Sequence, residues 1–183
     1  MKGTAQTVDD GVYDHLRPGM VVPEVILPAT NGETVDVVAS SAITVVFLYP
    51  MTGVPGHPLP DGWLELAGAF GCTAESCSYR DLVGEFAGVD ATVHGVSTQT
   101  AAEQQEFAER ARINYLLLSD SKHRLVNALQ LPLFQVPGHP PRIKRATVIV
   151  DRERRLCEVM YPVPDPAANA AHALASVQRL ISS

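Results

Sequence analysis

The chain has 183 residues, 46% of them apolar, which suits one globular domain with a substantial core. Its formal net charge is −6 and its Lys and Arg residues form no stripe, so no nucleic-acid partner is expected. The longest apolar run, AITVVFLY at 42–49, is too short to span a bilayer, and the N-terminal MKGTAQTVDDGVYDHLRPG has no apolar signal core. A soluble, cytoplasmic protein with no membrane partner is therefore expected.

A polar segment of about residues 1–18 is expected to be loosely held. Val21–Leu27 reads as a short strand, Thr30-Asn31-Gly32 as a turn, and Val35–Val38 as a hairpin partner. Ile43–Tyr49 is a near-continuous β-branched and aromatic run, the pattern of a strand buried on both faces. Pro50–Pro60 holds four prolines and two glycines and must be loop; Asp61–Phe70 reads as loop or a short helical turn. Cys72 to about Phe86 suits a helix, with Leu82, Val83 and Phe86 on one face. Ala91–Thr98 is a second buried strand, Thr100–Ala111 a Glu-, Gln- and Ala-rich helix, and Tyr115–Leu118 a short strand. Ser119-Asp120 is expected to cap a helix through Leu129, followed by a proline-rich loop over 131–141. Arg145–Val150 and Leu156–Tyr161 read as antiparallel strands, and Ala167–Ile181 as an amphipathic helix. Together these predict an α/β protein: a mixed central sheet with helices on both faces, in the element order of a thioredoxin-like fold.

Three cysteines do not make a structural disulfide framework, and Cys72 and Cys77 stand five positions apart at the start of a predicted helix. On a regular helix that spacing leaves the Cα atoms roughly 8–9 Å apart and about 140° out of alignment. A disulfide needs Cα atoms within about 7 Å, so the sulfurs can meet only if the first turns unwind. Cys72, at the helix start, is the better nucleophile, because free N–H groups and the positive dipole end stabilise a thiolate there. Gly71 lets the backbone approach a small ligand. Cys77 is the better resolving thiol. Against this redox pair stands a pair of buried structural cysteines that never meet. CxxxxC is not a usual zinc spacing, and the six histidines form no HxH or HxxxH pair, so no metal site is expected. Cys157 reads as an apolar filler.

The segment GCTAESCSYRD at 71–81, after the strand TVVFLYP, resembles the peroxiredoxins (AhpC/TSA), in their PrxQ or bacterioferritin-comigratory branch. Gly71-Cys72-Thr73, Glu75, Cys77 and Arg80-Asp81 stand at the motif positions, supported by VHGVSTQ (93–99), LLSD (117–120) and KRATVIVD (144–151). The likeness runs over about residues 18–182. The family pattern places a Pro and a Thr seven and three residues before the first Cys. Here those positions are Glu65 and Ala69, while Pro50 and Thr52 lie earlier, so the chain reads as carrying an insertion of about residues 53–69.

The resemblance implies a thioredoxin-like fold and a thiol peroxidase needing no metal, flavin or haem. It implies Cys72 as the peroxidatic residue and Cys77 as the resolving one. Arg145 activates the thiolate and holds peroxide, with Thr52 and Pro50 completing the catalytic set if the insert folds out and returns. Gly71, Thr73 and Glu75 are the expected substrate-binding positions. The implied cycle reduces hydrogen peroxide or alkyl hydroperoxides through a Cys72 sulfenic acid and a Cys72–Cys77 disulfide. Thioredoxin or a related dithiol recycles it, in a monomer or weak homodimer. The alternative is a redox sensor or partner-binding protein on the same fold. For the insert, the apolar Leu59, Trp63, Leu64 and Leu66 either cover the site, form a docking or dimer surface, or pack on the core; His57 sits among them.

Overall fold

In the computed structural model, which describes residues 7–183, one five-stranded sheet organises the chain. In chain order the strands are β1 (Ile26–Pro28), β2 (Thr34–Asp36), β3 (Ile43–Leu48), β4 (Ala91–Ser97), β5 (Leu116–Ser119), β6 (Leu133–Phe134), β7 (Arg142–Ile143), β8 (Ala146–Asp151) and β9 (Leu156–Met160). The helices are α1 (Cys72–Gly88), α2 (Ala101–Arg110), α3 (Arg124–Leu129) and α4 (Asn169–Ile181), with single 3-10 turns at Trp63–Glu65 and Pro166–Ala168. The sheet runs β5-β4-β3-β8-β9. The pairs β3–β4 and β4–β5 are parallel; β3–β8 and β8–β9 are antiparallel. This is the mixed, thioredoxin-like α/β sheet that the sequence predicts.

The central strand β3 is buried on both faces, and its side chains alternate between two cores. Val46 and Leu48 face a cluster with Val96, Leu118, Val148 and Leu125 of α3. Val45, Phe47 and Tyr49 face Tyr79 and Phe86 of α1, Phe107 of α2, and Ala173 and Val177 of α4. Phe47 and Tyr79 stack at 4.4 Å between ring centroids. Gly95 makes this possible: a Cβ there would lie 2.5 Å from the Phe47 ring and 2.7 Å from Leu117. Helices α1, α2 and α4 therefore cover one face and α3 the other.

Several boundaries move. The expected strand Val21–Leu27 shrinks to β1, because Pro23 interrupts it and Val21 makes only an isolated bridge to Arg155. Helix α3 begins at Arg124, not after Ser119-Asp120. The Asp120 carboxylate caps it from upstream, accepting the N–H groups of Arg124 at 2.6 Å, Leu125 at 3.2 Å and Val126 at 2.9 Å. The 131–141 loop opens with a strand, β6, paired to β7 just beyond it. Of the N-terminal segment expected to be loose, residues 1–6 lie outside the described residues. Tyr13 and Leu16 are buried, and the Tyr13 hydroxyl donates to Lys144 O at 2.7 Å, so this stretch is part of the core. No described helix is long and apolar enough to cross a membrane.

Candidate active site

Cys72 is the first residue of α1 and only 3% exposed. The helix starts there because Gly71 takes φ 104°, a left-handed conformation that strains residues with a side chain. A Cβ on Gly71 would also lie 2.8 Å from Pro166, which packs against it from the turn before α4. Gly71 stands directly before the helix, and its tight neighbour across 95 residues carries no sequence signal.

Arg145, just before β8, reaches across to the helix start. Its guanidinium donates to the Cys72 Sγ at 3.1 Å, to Phe70 O at 3.1 Å and to Gly68 O at 3.2 Å, and forms a buried ion pair with Glu75. These carbonyl and carboxylate partners, with Ala69 O at 3.5 Å, fix the fork that faces the sulfur. Arg145 is itself only 2% exposed, so it is not a surface ion-pair residue.

Glu75 lies on the inner side of α1, fully buried behind Arg145, and does not line the cavity beside Cys72. Its expected place as a substrate contact is therefore corrected: at i+3 from Cys72 on a helix whose inner face packs on the sheet, it meets Arg145. Its Oε1 accepts from Asn169 Nδ2 at 2.7 Å, and the same nitrogen donates to Thr147 Oγ1 at 2.9 Å. The Tyr79 hydroxyl lies 3.4 Å from that Thr147 oxygen. Asn169, Thr147 and Tyr79 were not legible as site residues, because each reads in sequence as an ordinary helix or strand position.

The electrostatics set burial against pairing. Burial pushes the Cys72 thiol above its ordinary value; the Arg145 guanidinium pulls it down, the Glu75 carboxylate adds to the rise, and the Met51 backbone N–H opposes it. The helix start and arginine were expected to lower this thiol, and in the reduced, closed arrangement burial outweighs them. Burial likewise pushes the Glu75 carboxyl up to about 7, against Arg145 and Asn169. Both acids share one buried cation, so a proton taken up by Glu75 leaves Arg145 to the Cys72 thiolate.

The loop after β3 returns to the site as a backbone wall. Pro50 is buried and its carbonyl accepts from Ser97 Oγ at 3.0 Å. Thr52 is also buried, but its hydroxyl donates to Gln99 Oε1 at 3.2 Å, and the same oxygen accepts the Thr52 N–H at 2.9 Å. Thr52 does not line the cavity beside Cys72, whereas its neighbours Met51 and Gly53 do. The loop thus places Met51 on the cavity wall beside Cys72, where the sequence suggested Thr52.

Cys72 and Cys77 both line one cavity of about 580 Å³, walled by Met51, Val54, Leu59, Trp63 and Phe70. Thr73 is exposed at its rim, and His57 and Arg110 also border it. All three cysteines are free thiols. Because α1 is continuous from Cys72, the two sulfurs on it cannot bond without unwinding. Within 53–69, Trp63 both faces the cavity and packs on Phe134, at 6.4 Å between ring centroids, while Leu59 and Leu64 stay exposed. Cys157 packs with the α4-side core, as an apolar filler would. Among the described residues no group of three or more His, Cys, Asp or Glu could hold a metal ion.

Fold and site together define a thioredoxin-like protein with a thiol at a helix start beneath a buried arginine. The AhpC/TSA family matches residues 63–159. A peroxiredoxin of Mycobacterium tuberculosis is 31% identical over 170 residues, 91% of this chain and 99% of its own length. Peroxiredoxin Bcp of Bacillus subtilis is 30% identical over 141 residues, 75% of this chain and 80% of its own. The crystal structure of peroxidoxin BcpB from Mycobacterium tuberculosis superposes with a TM-score of 0.74 at 30% identity, covering 91% of this chain and 99% of that one. The chain belongs to the AhpC/TSA family, in the Bcp/PrxQ branch of the peroxiredoxins.

Proposed function

We propose that this peroxiredoxin is a thiol-dependent peroxidase in which Cys72 is peroxidatic and Cys77 resolving. The observation that carries this reading is the Arg145 guanidinium 3.1 Å from the Cys72 sulfur, at a cavity that Cys77 also lines. The Cys72 thiolate attacks the distal oxygen of a hydroperoxide. The O–O bond breaks, the leaving oxygen takes a proton to give water or alcohol, and Cys72 becomes a sulfenic acid. Arg145 faces the developing negative charge, and Pro50 and Thr52 hold the Met51 wall of the cavity in place through Ser97 and Gln99. Glu75 shares the arginine with the thiolate, and Gly71 and Thr73 border the space where peroxide enters. The start of α1 then unwinds, and the Cys77 sulfur attacks the Cys72 sulfenic acid, forming the disulfide and releasing water. Thioredoxin or a related dithiol reduces it by exchange. Wholly protein-thiol chemistry suffices for each step.

The test is steady-state turnover of hydrogen peroxide and an alkyl hydroperoxide with thioredoxin and its reductase as the electron source. Sustained turnover that Cys72→Ser abolishes is expected. One observation favours the sensor reading: burial raises the Cys72 thiol. Oxidation of one equivalent without turnover by any dithiol would select the sensor and contradict the peroxidase.

A further inference from the structure

The turn and first residue that lead into α4 grip the part of α1 that the proposed cycle must unwind. Residues 72–77 carry both cysteines, and Glu75 lies between them. Both protons of the Asn169 amide nitrogen are placed, on Glu75 Oε1 at 2.7 Å and on Thr147 Oγ1 at 2.9 Å. Asn169 is thus a buried bridge from α1 to β8. Beside it Pro166 packs on Gly71, where even a Cβ would sit 2.8 Å away. The Asp165 carboxylate holds that turn, accepting the Ala167 N–H at 3.0 Å.

We propose that Asn169 is a positioning residue that holds the first turns of α1 wound, and so sets how the Cys72 sulfenic acid divides between two fates. In one, the helix start unwinds and Cys77 attacks, giving the disulfide and water. In the other, the wound helix keeps the sulfenic acid in the cavity, where a second hydroperoxide oxidises it to the sulfinic acid and leaves as water or alcohol. Unwinding pulls the Glu75 carboxylate off the Asn169 amide, so this bond opposes the first fate alone. The attack on the first peroxide needs Arg145 on the sulfur, and Asn169 does not touch either group of that contact. The inference rests on the Cys72–Cys77 disulfide of the proposed cycle.

The experiment mixes wild type and Asn169→Ala rapidly with excess hydrogen peroxide. Fluorescence of Trp63, which walls the cavity, follows the two oxidation steps, and intact mass counts disulfide and sulfinic acid. A buried hydrogen bond to a charged group predicts that disulfide formation speeds up about tenfold in Asn169→Ala. The sulfinic fraction should fall relative to the disulfide. A purely structural Asn169 would lower the melting temperature and leave that division unmoved, which would overturn the inference. A wild type that forms no Cys72–Cys77 disulfide would overturn the proposed cycle and this inference with it. A disulfide that forms at the wild-type rate in the variant would overturn the inference alone. Hydrogen exchange on the wild type needs no variant. Amides at the start of both α1 and α4 should lose protection in the disulfide form, and unchanged protection at the start of α4 would overturn the latch.

Discussion

At the residue scale, the site turns on two acids and one cation. Cys72 and Glu75 each lean on Arg145, and each is raised by burial. Replacing the carboxylate removes a negative charge that opposes the thiolate. Glu75→Gln should therefore move the pH profile for peroxide-dependent thiol loss to lower pH, by about one unit. A profile displaced upward would mean that Glu75 serves chiefly to hold Arg145 on the sulfur. Cys72 and Cys77 were legible as candidates from a thiol at a helix start and a second thiol close by, whereas Arg145 was legible only through the family resemblance. Glu75 was legible as a motif position and misplaced as a substrate contact. What hid it was tertiary: only the packing of α1 on the sheet shows that position i+3 from Cys72 faces inward. Thr52 fails similarly, since Gln99, the residue that takes its hydroxyl, lies 47 positions away in sequence.

At the element scale, α1 is both scaffold and moving part. Its seventeen residues are continuous in the reduced state, and the Cys72–Cys77 bond requires the first six to leave helical geometry. Oxidation by one equivalent of peroxide should cost about one and a half turns of far-UV helical signal, restored by dithiothreitol. An unchanged spectrum in a protein shown to contain the disulfide would contradict the helix geometry of the account. The strongly patterned elements, β3, β4 and α1, were read from the sequence because period and length agree over many residues. The short ones were not: β6 and β7 are two residues each, stabilised by pairing that no local pattern announces. Helix α3 started late because Asp120 caps from four residues upstream instead of directly before the helix.

At the scale of the whole molecule, the sheet holds the two halves of the site in register. Strand β3 leads into the Met51 wall and β8 follows Arg145, and these two strands pair directly. Phe47 sits at their centre, stacked on Tyr79 of α1 and seated over Gly95. Phe47→Ala should cost about 3–5 kcal/mol of unfolding free energy by denaturant titration, as for a large ring removed from a closed core. A loss below about 1 kcal/mol would mean that the stack contributes little. The central claim is tested most directly by intact mass and free-thiol count after one equivalent of hydrogen peroxide, on wild type, Cys72→Ser and Cys77→Ser. The account predicts that wild type loses two thiols within seconds, Cys77→Ser stops at a sulfenic acid, and Cys72→Ser does not react. Survival of all three thiols in wild type, or oxidation of Cys72→Ser at the wild-type rate, would contradict it.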